Sequence, residues 1–305
     1  MLAETLEIGA ELRPARHRCS VSIGGVSVAL NSVSPAHLEL PGDLQHFAQD
    51  LSACDIEILV TNDVWLDHPE CNPVFDSSAV WKLFEDDAGL IFDFSSPLMG
   101  SHPYKRLRVD REFSEARLSF HSGYGEAVRF LTAFEYPLDE LLVTNRLATT
   151  EGVEVHACGV LDPSGGAHLF VGHSGAGKST TARLWSNLRN ATILSDDRII
   201  LRLKEGQLWM HGTPWHGEAG FAAAAKAPVK ALFVLEHGTS NQITALPQAE
   251  AAAELFARSF VPFHDPQAIA TTLALLQRIV EQVPVHRYRF LPGSAAVDLI
   301  ASFHG

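Results

Sequence analysis

Cysteine is scarce and scattered. Cys19, Cys54, Cys71 and Cys158 form no C-x-x-C pair, which excludes a zinc knuckle or a dithiol redox motif of the usual spacing and leaves reduced thiols as the reading. Basic charge is also in short supply: 23 Lys and Arg stand against 36 Asp and Glu, a net charge of −13. Without a compensating Lys/Arg run, that balance argues against a nucleic-acid or anionic-membrane surface. No apolar run reaches the roughly 20 residues needed to cross a bilayer. The start, "MLAETLEIGAEL", has glutamates in a weakly apolar segment where a signal peptide would have basic residues and then an apolar stretch. The expected compartment is therefore the cytoplasm. The 15 histidines are dispersed, with no helical i, i+4 pair beside an acid, so a metalloprotease-type zinc site is excluded. There is no internal repeat and no guanine-reading N-K-x-D.

What remains is a chain of 305 residues, long enough for two domains with packed cores. Residues 1–136 carry short β-type runs, "RCSVSIGGVSVAL", "IEILV", "LIFDF", "RLRV" and "ARLSF", punctuated by Pro, Gly, Asp and Ser. They predict a mainly β domain, with Trp65 and Trp81 as core anchors; a recognition or assembly role is expected of it only because sites commonly form between domains. The pattern changes at Pro137, after which Leu138, Leu141, Leu142 and Leu147 recur at helical spacing, with Gly152 as the expected stop. From there strands interleave with helices: "VEVHACGVLD", "AHLFVG", a helix from Ser179, "ATILSDD", "RIILRL", "KALFVLE", two helices and a closing "VHRYRFL". Residues 137–305 are thus expected to form an α/β domain.

The chemistry concentrates at Gly172-His173-Ser174-Gly175-Ala176-Gly177-Lys178-Ser179, which satisfies the P-loop pattern G-x-x-x-x-G-K-[ST] between an apolar strand and a helix. Small residues let successive backbone amides converge on phosphate oxygens. Lys178 adds a point charge for the outer phosphates, Ser179 offers a hydroxyl to Mg²⁺, and the helix that carries Thr180 contributes the positive end of its dipole. Downstream, "ILSDDRIIL" ends an aliphatic run in Asp196-Asp197. A strand-end acid beside such a loop faces the ligand. Because neighbours on a strand point to opposite faces, the two carboxylates are expected to divide their roles.

"VHACGVLDPSGGAHLFVGHSGAGKSTTARLW…ILSDDRIIL" resembles the catalytic domain of HPr kinase/phosphorylase-like proteins, whose P-loop core is similar to that of phosphoenolpyruvate carboxykinase. The closing "LLQRIVEQVPVHRYRFLPGSAAVDLI" resembles the same family, and the likeness spans about residues 137–305. It implies a phosphotransferase that uses ATP and Mg²⁺ and moves the γ-phosphoryl to a hydroxyl of a peptide, small protein or small molecule, with a homo-oligomer allowed. By that resemblance Asp196 is the base for the acceptor hydroxyl, Asp197 assists metal or phosphate placement, and His156 lies near both. One departure concerns the glycine-rich "EIRG" signature of true HPr kinases, in whose place stands "GTPWHGEAGF". The reverse reaction and HPr as acceptor are therefore not carried over. Glu218 in that segment is a candidate second metal ligand, with His216, Arg198, Arg287 and Arg289 as weaker polar candidates. A nucleotide-binding regulator without transfer activity and a P-loop ATPase are the competing readings.

Overall fold

The computed structural model describes residues 17–65, 72–100, 102–125 and 131–303. The N-terminal segment read for a signal peptide, and Cys71, lie outside them. The chain divides into two compact units: one holds residues up to Asp139 apart from Ile23–Gly25, and the other holds those three residues and everything from Glu140 on. Both are rich in sheet, and the architecture is mixed α/β.

The first unit is one eight-stranded sheet in the order β1-β2-β3-β8-β7-β6-β5-β4. Its strands are β1 (His17–Ile23), β2 (Val26–Ser32), β3 (Ile56–Asp63), β4 (Phe75–Asp76), β5 (Trp81–Asp86), β6 (Gly89–Phe94), β7 (Lys105–Val109) and β8 (Glu115–His121). Alternation in the sequence explains one buried face, as in β3, where Ile56, Ile58 and Val60 are buried and the residues between them are not. The tryptophans correct the expectation of core anchors. Trp81 is only half-buried and stacks on Phe75 at 5.1 Å, while Trp65 sits edge-on to His121 at 4.7 Å beneath the Arg106 guanidinium.

The second unit begins within helix α1 (Leu138–Ala148). That helix ends before Gly152, which is not its stop but the first residue of a strand, packed so closely that a Cβ there would meet the Leu147 side chain at 2.6 Å. The strands are β9 (Gly152–Leu161), β10 (Ala167–Val171), β11 (Thr192–Ser195), β12 (Arg198–Lys204), β13 (Gln207–His211), β14 (Lys226–Pro228), β15 (Ala231–His237), β16 (Gln242–Ala245), β17 (Ser259–Phe260) and β18 (Val285–Phe290). The helices are α2 (Lys178–Arg189), α3 (Gln248–Phe256), α4 (Pro266–Gln282) and α5 (Ser294–Ala301). The main path runs β14-β13-β12-β9-β10-β15-β18-β16, with β10, β15 and β18 parallel. β10 and β15 are apolar on both faces over most of their length because helices cover both, whereas β18 turns Arg287 and Arg289 outward on one face. Leu255 of α3 and Leu275, Leu276 and Ile279 of α4 pack on the face of Leu169, Leu232 and Val234. Trp185 of α2 and Val297 and Ile300 of α5 pack on the face of Phe170, Phe233 and Tyr288.

β9 organises the site. Its first half, Gly152 to His156, pairs with β12, and its second half, Ala157 to Leu161, pairs with β10 and β11. His156 therefore stands at the point where the partners change. The Gly172 amide at the end of β10 donates to the His156 carbonyl at 3.1 Å.

Candidate functional site

The loop from Gly172 to Gly177 joins β10 to α2, and its glycines do separate jobs. Gly175 (φ +79°) and Gly177 (φ +104°) adopt left-handed conformations that a side chain disfavours. At Gly177 a Cβ would also strike the Phe290 ring at 2.6 Å, whereas at Gly175 nothing lies within 4 Å. Gly172 needs its missing side chain to fit Ala176, 2.7 Å from the position a Cβ would take. Ala176 itself is buried and its amide donates to the His173 carbonyl at 3.1 Å. The amides of His173, Ser174, Gly175, Gly177, Lys178 and Ser179 donate to no acceptor among the described residues. Such a run of free donors at a helix start is a cradle for an anion.

Lys178 is buried, and its ammonium donates to the carbonyls of Gly172 (3.0 Å) and His173 (3.1 Å). Burial pulls its pKa down to about 8, with Asp197 the strongest influence in the other direction. Two of its three N–H donors thus brace the loop, leaving one for a ligand. His237 bonds the Gly175 carbonyl through Nε2 at 2.8 Å, and the Thr181 hydroxyl donates to the Gly177 carbonyl at 2.9 Å. Thr180 is exposed beside them.

The two aspartates follow β11 in the bend before β12. Asp196, expected to meet the acceptor hydroxyl, is fully buried and saturated. Oδ1 accepts from the Gly217 amide (3.0 Å) and the Phe221 amide (3.3 Å), and Oδ2 from the Ala219 amide (3.0 Å) and the Ser179 hydroxyl (2.8 Å). A carboxylate occupied by four donors and closed to solvent has no free lone pair for an incoming proton, so the geometry does not fit the base role. It instead pins the 217–221 loop under Ser179. A Cβ on Gly217 would stand 2.8 Å from Asp196 Oδ2, which explains a glycine there.

Asp197 is the open carboxylate. Its Oδ1 lies 2.7 Å from His156 Nε2, and its Oδ2 accepts from Arg198 Nη1. Burial pushes the Asp197 pKa up, but the His156 hydrogen bond and the Arg198 and Lys178 charges outweigh it, and the net value is below that of an ordinary aspartate. With Asp197 ionised, His156 Nε2 carries the proton it donates. Nδ1 has no hydrogen-bond partner among the described residues.

The expected metal ligands Ser179, Asp197 and Glu218 do not form one set. Ser179 bonds Asp196, Asp197 bonds His156 and Arg198, and Glu218 is exposed with only its backbone carbonyl engaged, by Arg183 at 3.1 Å. Among the described residues no three His, Cys, Asp or Glu side chains gather as a metal site. Mg²⁺ still fits here, because it keeps several waters and takes few protein ligands when phosphates supply the rest. The Ser179 oxygen, which donates to Asp196, has lone pairs left for that purpose. The remaining polar candidates are engaged elsewhere. Arg287 pairs with Glu236 and Glu250, Arg289 with Glu236, and His216 is exposed with Nδ1 on the Gly217 carbonyl.

Residue spacing missed two contributions. The amides of Gly217, Ala219 and Phe221 leave no side-chain signature. Glu140, half-buried, and Glu154, fully buried, are the partners of Arg198 and come from two separate elements, and only the charge of Glu154 inside the apolar run "VEVHACGVL" hinted at a special place.

The family model of SynChlorMet cassette protein ScmC matches residues 138–267, less than half of the chain but including the glycine-rich loop, both aspartates and the 217–221 loop. No curated protein matches the sequence. Among solved structures, the HPr(Ser) kinase/phosphatase from Coxiella burnetii aligns with 48% of this chain and 91% of its own at 12% identity, with a TM-score of 0.29. Among the described residues no helix is long and apolar enough to cross a membrane.

Proposed function

We infer that the second unit is an ATP- and Mg²⁺-dependent phosphotransferase that delivers the γ-phosphoryl to a hydroxyl, a serine of a peptide or small protein being the preferred class of acceptor. One observation carries this reading. The six unpaired amides between His173 and Ser179, all but that of Ala176, and the buried Lys178 ammonium line one loop, and an oriented Asp197–His156 pair follows from the adjoining strands. A nucleotide-binding regulator needs the loop alone. An imidazole held by a carboxylate next to it adds a group fitted to take a proton.

In this reading the loop amides and the free donor of Lys178 bind the β- and γ-phosphates. Ser179 would offer its oxygen to a phosphate-borne Mg²⁺, which when bound would supply charge neutralisation for the transferring group. Asp196 keeps Ser179 and the 217–221 loop in register. Asp197 holds the Nε2 proton of His156, so that Nδ1 receives the proton of the acceptor hydroxyl. The demand on that base is modest, since phosphoryl transfer proceeds through a loose transition state governed by positioning and charge.

The test is transfer of labelled γ-phosphoryl from ATP, with Mg²⁺, to a serine peptide library and to the same peptides with alanine for serine. The wild type is expected to label serine peptides selectively. His156→Ala and Asp197→Asn should lose on the order of 10²–10⁴-fold of that rate while still binding ATP. ATP hydrolysis indifferent to every acceptor would point to an ATPase, and binding without turnover to a regulator; either result sinks the proposal.

A further inference from the structure

Behind Asp197 lies a charge network centred on Arg198. Arg198 is register partner of His156 across β12 and β9. Its guanidinium lies over the Phe260 ring at 4.0 Å, and Nη1 binds Asp197. On the other side Nε donates to Glu140 Oε1 at 2.8 Å, while Glu154 Oε1 stands 3.3 Å from the same nitrogen. Arginine Nε carries a single hydrogen, and that hydrogen goes to Glu140. Glu154 is completely buried on β9; Oε2 accepts from the Thr144 hydroxyl of α1 at 2.7 Å, but no N–H or O–H donor reaches Oε1.

Two carboxylates beside one guanidinium, one of them closed to water, cannot both stay ionised when Arg198 already neutralises Asp197. A proton on Glu154 Oε1 resolves this, because it gives the orphaned oxygen a bond to donate, and Glu140 is the neighbouring acceptor. Burial, followed by the Glu140 charge, raises the Glu154 pKa well above the ordinary glutamate value. The groups facing this carboxyl are Glu140 and Thr144 from α1 and Arg198 from β12.

We propose that Glu140 and Glu154 share one proton and, as a single-charged pair, act as the positioning element of the Asp197–His156 base, holding Arg198 from its far side so that one guanidinium arm stays on Asp197. The positioning role rests on the phosphotransfer reading; the shared proton does not. With one negative charge behind it, Arg198 is balanced between two anions and leaves Asp197 basic enough to orient His156. Without that charge the guanidinium would belong to Asp197 alone.

The experiment uses the full chain and three variants, Glu154→Gln, Glu140→Gln and the double substitution, each checked by circular dichroism. Infrared spectroscopy at about pH 7, where free glutamates are ionised, is expected to show a protonated-carboxyl stretch in the wild type. The band should vanish in Glu154→Gln and also in Glu140→Gln, where Glu154 gives up its proton to become the counter-ion of Arg198. The ¹⁵N resonance of Arg198 Nε, assigned with Arg198→Lys, should hold its position in both single variants and move in the double one. Kinetically, the single variants should stay within about twofold of wild type. The double variant should lose about tenfold in kcat at unchanged KM for ATP, a coupling of the size that networked side chains show. Absence of the band in wild type, its survival in Glu140→Gln, or a single variant as impaired as the double one would overturn the proposal. If the wild type transfers no phosphate at all, the phosphotransfer reading and the positioning role fail together, and the two spectroscopic readouts still decide the shared proton.

Discussion

Replacing Asp196 with asparagine separates a carboxylate that holds the site together from one that takes part in chemistry. The substitution keeps shape and leaves one oxygen where there were two. If that oxygen takes the place of Oδ1, the amides of Gly217 and Phe221 stay paired, and the Ser179 hydroxyl turns to accept from the new NH₂. Only the Ala219 amide then loses its acceptor, and it faces a donor instead. Hydrogen bonds to a charged acceptor are worth about 1.5–3 kcal/mol each, against about 1 kcal/mol for neutral ones. Two retained bonds therefore weaken by about 1 kcal/mol each, and the stranded amide adds about 1–2 kcal/mol. Relief from burying a full charge returns part of this, leaving a net loss of about 2–3 kcal/mol. If the 217–221 loop opens locally, its amides should exchange with solvent on the order of 30–150 times faster, at tenfold per 1.4 kcal/mol. Hydrogen-exchange mass spectrometry on a peptide covering residues 215–222 reads this directly. Nucleotide affinity should fall with it, because Ser179 exchanges a charged acceptor for a neutral donor and its hydroxyl turns from the position it holds on Asp196. Asp197→Asn, whose carboxyl is 24% exposed, should leave that exchange unchanged within about threefold and remove transfer instead. The reasoning is refuted if Asp196→Asn leaves exchange untouched while abolishing transfer, since the buried carboxylate would then be the base.

Three further outcomes follow from the geometry. Gly177→Ala combines a left-handed backbone with a clash against Phe290 and should destabilise by about 2–4 kcal/mol; Gly175→Ala meets only the backbone penalty of about 1–2 kcal/mol, and urea titration of the two variants should preserve that order. Lys178→Ala should weaken ATP binding by about 10–100-fold, or about 1.4–2.7 kcal/mol by calorimetric titration. His168, packed between Trp185 at 5.1 Å and Phe233 at 6.3 Å, has its pKa lowered by burial to about 4. From about pH 6.5 down to 4 the unfolded chain binds more protons at this residue than the folded one. Stability should therefore fall with pH across that window, and His168→Phe should flatten the slope in acid titrations of thermal unfolding.

What could be read from the residues and what could not divides along contact distance. The glycine-rich loop was legible because β10, the turn and α2 are consecutive: the spacing of Gly172, Gly177 and Lys178 specifies local backbone conformation, and the apolar run before it specifies a strand. The helix α4 was legible as one of the two helices before the closing strand, and the structure adds that Asp265 caps its start, with Pro266 as its first residue. Short elements such as β4, β13, β14, β16 and β17 were not, since strands of two to five residues owe their existence to the neighbour they pair with.

The sequence alone determined an acidic chain without a basic surface stretch, two sheet-rich halves, and one loop whose backbone amides must turn toward an anion. Only the tertiary structure decided which aspartate is buried and which is open. That choice depends on amides of Gly217, Ala219 and Phe221 folding back more than twenty residues later to fill, with the Ser179 hydroxyl, every lone pair of Asp196, and on β9 changing partners at His156 so that Asp197 meets an imidazole and Arg198 meets two glutamates. Hydrogen bonds of this kind join residues that have no fixed spacing along the chain, so no local pattern encodes them; they exist only once the sheet has closed.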